Sequence, residues 1–221
     1  MDLGREAEFN YGVTVTGPAD ITLENPERTY VVLGVSRGGT SAVAGMLNLM
    51  GVHMGGTGEA PLYEDLRMNR ALDAGSANVE ELIQLYDRQR TVWGFKGNAI
   101  RQPYAEFAAR LRNPIFVVVF RDLLAIANRA SLSADRDVTH ILVRQAAEYQ
   151  RIVDFVANGG YYCVLVSYEK LTGYPREVAV KLACHCGLQP DSRQLAKAVE
   201  FIRPAPEDYL VVSRATPRSG K

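Results

Sequence analysis

The chain has 221 residues, 47% apolar and 23% charged, the make-up of one globular domain able to bury a full core. Its 25 Lys and Arg balance 25 Asp and Glu, so bulk charge draws it to neither nucleic acid nor an acidic membrane, and any anion site must be a local concentration of basic groups. No apolar run reaches bilayer-spanning length and the acidic N-terminal stretch lacks the apolar core of a secretory leader, so no membrane span and a cytoplasmic location are expected.

Residues 1–27 carry little pattern and read as an N-terminal extension, with one short strand expected at 11–16 before Gly17 and Pro18. The domain proper is expected over 28–212. The apolar run at 30–33 (Tyr-Val-Val-Leu) predicts a strand. Val43, Met46, Leu47 and Met50 then recur on one helical face, with Gly51 as the stop. A helix at 78–90 precedes a short strand at 92–95. After Pro103, the helical spacing returns at Tyr104, Phe107, Ala108 and Leu111. The runs at 115–120 and 161–166 are apolar on both faces, as strands of a covered parallel sheet are. Between them Val138, Ile141, Leu142, Tyr149, Ile152 and Val156 outline a long helix ending at Gly159 and Gly160. Val178, Leu182 and Cys186 mark another before Gly187. This alternation predicts one α/β domain with a mainly parallel sheet flanked by helices. Residues 213–221 form a basic tail. Cys163, Cys184 and Cys186 are odd in number and give no disulfide framework, and Cys184 and Cys186 lack a second ligand pair elsewhere, so buried thiols rather than a metal site are expected.

The segment 34–41 reads Gly-Val-Ser-Arg-Gly-Gly-Thr-Ser and joins a strand to a helix. Its spacing is that of a phosphate-binding loop, G-x-x-x-x-G-K-S/T, with Thr40 in the lysine position. Backbone N–H groups at the helix start and the helix dipole favour an anion there. Gly38 and Gly39 let a phosphate approach the backbone, Ser36, Thr40 and Ser41 offer hydroxyls, and Arg37 supplies a planar cationic fork. A nucleotide triphosphatase ends a later strand on a carboxylate for Mg²⁺. Here the run at 115–120 is followed first by Arg121 and then by Asp122. Arg121 at the carboxyl end of a neighbouring strand suits a second phosphate.

These residues resemble the sulfotransferase superfamily, whose donor is 3′-phosphoadenosine 5′-phosphosulfate. Residues 36–41 resemble its 5′-phosphosulfate loop. Tyr63, Glu64 and Asp65, with Asn69 and Leu72 behind them, resemble the Y/F-E-D segment of bacterial members. The segment 93–97 (Trp-Gly-Phe-Lys-Gly) resembles W-G-x-K-D-P, and 120–122 through Ser131 resembles the 3′-phosphate block. A fifth, looser match is 166–171 (Val-Ser-Tyr-Glu-Lys-Leu), like a V-x-Y-E-x-L strand end. The chain departs from the pattern at Val35, Leu123, Gly97 and Asn98. Arg129 holds the position where the 3′-phosphate serine is usual, with Ser131 two residues on.

The resemblance implies the P-loop-like sulfotransferase fold and metal-free, in-line transfer of a sulfuryl group to a hydroxyl or amine of a small molecule or glycan. It implies that Arg37 and Lys96 stabilise the leaving and transferring groups, and that Glu64, or else Asp65, is the base. Arg121 with Ser131 or Arg129 would hold the 3′-phosphate, and Tyr168 is either an adenine platform or a sheet-edge core residue. His53, His140 and His185 read as structural or surface groups. Residues 55–61 and the 78–90 helix are expected to line the acceptor pocket. Two other functions share the loop: a P-loop nucleotide or small-molecule kinase, opposed by Thr40 and Arg121, and a non-catalytic nucleotide-binding member of the fold.

Overall fold

The computed structural model describes residues 10–18, 23–55, 62–100, 102–134 and 137–202. The basic tail and the 56–61 segment lie outside them. Six strands form one sheet: β1 (Val13–Thr16), β2 (Arg28–Leu33), β3 (His53–Met54), β4 (Val92–Lys96), β5 (Pro114–Phe120) and β6 (Cys163–Ser167). Their spatial order is β1-β6-β5-β2-β4-β3, and all pairings are parallel except that of β1 with β6. Residues 13–16, grouped by sequence with the extension, therefore close one edge of the sheet. The described helices are α1 (Thr40–Leu49), α2 (Leu66–Ala74), α3 (Ser76–Gln89), α4 (Tyr104–Ala108), α5 (Leu123–Ala134), α6 (Val138–Asn158), α7 (Tyr168–Gly173), α8 (Pro175–His185) and α9 (Ser192–Phe201).

Period-two alternation along β2, β4, β5 and β6 feeds two cores. Tyr30, Val32, Ile115, Val117, Val119, Val164 and Val166 point to the face covered by Met46 and Leu47 of α1, Leu182 of α8 and Ala198 of α9. Val31, Leu33, Trp93, Phe95, Phe116 and Val118 point to the other, under Ile83 of α3, Phe107 of α4 and Phe155 of α6. Helices on both faces explain why the central runs 30–33 and 115–120 are apolar on both faces. Burial holds the Cys163 thiol up to about 12, so it packs as a neutral group.

The chain leaves β2 toward β3 and β4 on one side, then crosses to β5 and β6 on the other. The carboxyl end of β2 is thus a topological switch point, where open α/β sheets bind ligands. That end carries the glycine loop.

Candidate functional site

The loop turns sharply where the Gly38 N–H donates to the Val35 carbonyl at 2.9 Å. Arg37 adopts a left-handed backbone (φ 67°), uncommon for a residue with a Cβ. Gly39 follows at φ 92° as the N-cap of α1, and a Cβ there would meet the Tyr168 ring at 2.1 Å, so glycine is required on both counts. No side chain caps α1, and the N–H groups of Thr40 and Ser41 have no carbonyl within the helix to bond. The start of α1 therefore presents backbone N–H groups that no side chain caps.

Two strands flank β2, and each delivers a cation to this loop. On the β4 side Lys96 is 4% exposed. Its Nζ donates to Ser41 Oγ at 3.0 Å, to the Leu62 carbonyl at 3.0 Å and to Glu64 Oε1 at 3.1 Å, which uses all three of its protons. Glu64 is the open end of the ion pair, with its side chain 34% exposed. Two residues on, Asn98 Nδ2 donates to Thr40 Oγ1 at 3.3 Å. The departure at Asn98 thus still contacts the loop. The Thr40 and Ser41 hydroxyls both accept from N–H donors, which leaves their own protons to donate.

Asp65, the neighbouring carboxylate, is committed elsewhere. It is 2% exposed. Its Oδ1 accepts from the N–H groups of Arg67 and Met68 as the N-cap of α2, and its Oδ2 accepts from the Tyr86 hydroxyl at 2.7 Å. Of the two candidate bases, Glu64 alone faces Lys96. Tyr63 before it has φ 49° and packs edge-on to Phe201 of α9, with ring centroids 5.6 Å apart.

On the β5 side Arg121 is half-buried. Its Nη1 donates to the Arg37 carbonyl at 3.0 Å, so the guanidinium lies against the loop. Its guanidinium lies 4.4 Å above the Tyr168 ring. Tyr168 therefore contacts both Gly39 and Arg121, and one face of its ring is covered by the guanidinium rather than open to a base. Asp122, beside it, has its N–H bonded to Glu169 Oε1 at 2.8 Å and its Oδ1 bonded to the Ala125 N–H at 2.7 Å. Arg129 and Ser131 lie on α5, and the Ser131 hydroxyl donates to the Asn128 carbonyl at 2.8 Å.

Helix α3 borders a groove of about 440 Å³ lined by Ala77, Glu80, Gln102, Glu106 and Arg110, none of them a residue of the glycine loop or of its two cations. Of the three histidines, His53 lies on β3 and His185 ends α8, both held below the ordinary imidazole value by burial, and His140 is exposed on α6. Among the described residues no group of three or more His, Cys, Asp and Glu side chains is placed to hold a metal ion, and no helix is long and apolar enough to cross a membrane.

The fold and site define an α/β protein whose mostly parallel sheet presents a glycine loop between two buried or half-buried cations. No protein-family model matches the chain, and no curated protein matches it in sequence.

Sequence reasoning missed Tyr149, Asn98 as a loop partner, and α9. A cue for α9 was present: Asp191 and Gln194 form a capping box, the D-x-x-Q spacing of a helix start.

Proposed function

We propose that this protein is a sulfotransferase that moves a sulfuryl group from 3′-phosphoadenosine 5′-phosphosulfate to a hydroxyl or amine acceptor. The observation that carries this reading is the Lys96 ammonium 3.0 Å from the Ser41 hydroxyl. In a P-loop kinase that hydroxyl position binds Mg²⁺. A buried ammonium on the same oxygen repels a divalent cation and favours an anionic ligand held by protein charge alone. The P-loop-like sulfotransferase topology is part of the same proposal, supported by the order of the sheet around β2.

In this reading the acceptor oxygen or nitrogen attacks sulfur while the bond from sulfur to the 5′-phosphate oxygen breaks, and adenosine 3′,5′-bisphosphate leaves. Arg37 and the N–H groups at the start of α1 stabilise the leaving phosphate. Lys96 has no spare proton, so it turns to the transferring group by giving up a partner, and Glu64 is the partner nearest solvent. Released, the Glu64 carboxylate accepts the acceptor's proton. Arg121, with Arg129 or Ser131, meets the 3′-phosphate.

Calorimetric titration tests the donor directly. Adenosine 3′,5′-bisphosphate without metal is expected to bind more tightly than ATP with Mg²⁺. Preference for ATP with Mg²⁺ would sink the proposal in favour of a kinase. Bisphosphate binding without transfer to any hydroxyl or amine acceptor would leave a non-catalytic nucleotide-binding protein.

A further inference from the structure

We infer that Tyr149 is a positioning residue that sets selectivity for the nucleotide's 3′-phosphate by fixing the backbone of Arg121; this rests on the donor proposed above. The parallel ladder between β5 and β6 ends at Phe120 opposite Ser167, so Arg121 lies beyond strand pairing. One oxygen replaces the lost partner strand. The Tyr149 hydroxyl accepts from the Arg121 N–H at 2.9 Å and donates to the Arg121 carbonyl at 3.1 Å. Its ring stacks on Phe120, with centroids 5.6 Å apart and planes at 21°. Tyr149 shares the inward stripe of α6 with the buried Gln145, Ile152 and Phe155. A phenylalanine would fill that stripe equally well, so the packing explains the ring and the clamp explains the hydroxyl.

The clamp matters because the Arg121 side chain has many rotamers, and a cation that must be immobilised on binding loses affinity. With its backbone held at both polar groups, its guanidinium spans from the Arg37 carbonyl to the face of Tyr168. Among the described residues Arg121 makes no direct ion pair, and the carboxylates beside it are engaged by backbone N–H groups, Glu169 by that of Asp122 and Asp122 by that of Ala125. A guanidinium fixed beside the glycine loop and free of a direct ion pair suits a second phosphate on the same nucleotide.

The test compares dissociation constants for adenosine 3′,5′-bisphosphate and adenosine 5′-monophosphate in the wild type, Tyr149→Phe, Arg121→Ala and the double variant. Removal of one oxygen leaves a ring of the same shape, and a melting curve for each variant verifies the fold. The wild type should prefer the bisphosphate. In Tyr149→Phe that preference should fall about tenfold, the cost of a weakened hydrogen bond to a charged group, with 5′-monophosphate affinity unchanged. In the Arg121→Ala background the second substitution should remove nothing further. A retained preference in Tyr149→Phe, an equal loss for both nucleotides, or a loss that adds to that of Arg121→Ala overturns the inference and leaves the donor standing. A wild type without preference overturns the donor, and the inference with it.

Discussion

Lys96 and Arg121 sit at the ends of the two strands that flank β2, yet their surroundings differ in kind. Lys96 is almost fully buried and paired with a carboxylate; Arg121 is half-buried, resting on a carbonyl and an aromatic face. A buried ion pair has its charge cancelled until one partner leaves, whereas a cation on neutral dipoles keeps its field for a ligand. In the proposed function, the contrast places reaction chemistry on the β4 side and recognition on the β5 side.

The largest expected effect is on the β4 side. Glu64→Gln should lower turnover by roughly 10²- to 10⁴-fold, the range for loss of a general base, with bisphosphate affinity unchanged in calorimetry. A matching loss of binding would break the division, because Glu64 would then be part of recognition. Next is Arg121→Ala. It should weaken bisphosphate binding by roughly 10- to 100-fold, as expected for a charge-assisted hydrogen bond, and leave 5′-monophosphate binding nearly intact. Equal weakening of both ligands would place Arg121 in the loop's own structure, through the Arg37 carbonyl.

A smaller effect separates the adjacent carboxylates. Asp65→Ala removes the cap of α2 and should cost about 0.5–2 kcal/mol in urea unfolding. Its turnover should fall far less than that of Glu64→Gln; a comparable fall would make Asp65 the base. The smallest effect is an expected constancy with pH. Burial holds the Tyr149 phenol above its ordinary 10.0, so the neutral, donating form persists as pH rises to that value. The 3′-phosphate is fully ionised above about pH 7.5, since its second pKa is about 6. Bisphosphate preference measured from there to pH 10.0 should stay flat; a decline within this window would mean that the clamp has released or that another group governs the site.

Much of the β2 region was legible because its signals are local. A strand with an apolar run at 30–33, a glycine turn and a helical stripe are adjacent in sequence, and each is specified by backbone sterics and periodicity. The carboxyl ends of β4 and β5 were legible as motif positions, and Lys96 and Arg121 do converge on the loop. Other parts were not. β3 has two residues, too few to show a period, and exists through its pairing with Trp93 and Gly94. Tyr149 read only as one more apolar position of a long helix, because a hydroxyl's partner is invisible until α6 is laid against the end of β5. Tyr168 was open between base-stacking and packing, and its contacts with Gly39 and Arg121 come from two other strand ends.

By itself the sequence determined that this is an α/β chain, which segments are strands and helices in its longer elements, and that one strand–helix junction is a glycine turn. These follow from side-chain periodicity and from glycine's freedom at Gly39, properties of a few neighbouring residues. Tertiary structure decided that β4 and β5 lie on opposite sides of β2, that Glu64 rather than Asp65 faces Lys96, and that a tyrosine from α6 holds Arg121. Each of these depends on groups up to tens of residues apart, such as Ser41 and Lys96, meeting through sheet order and core packing, which local propensity does not encode.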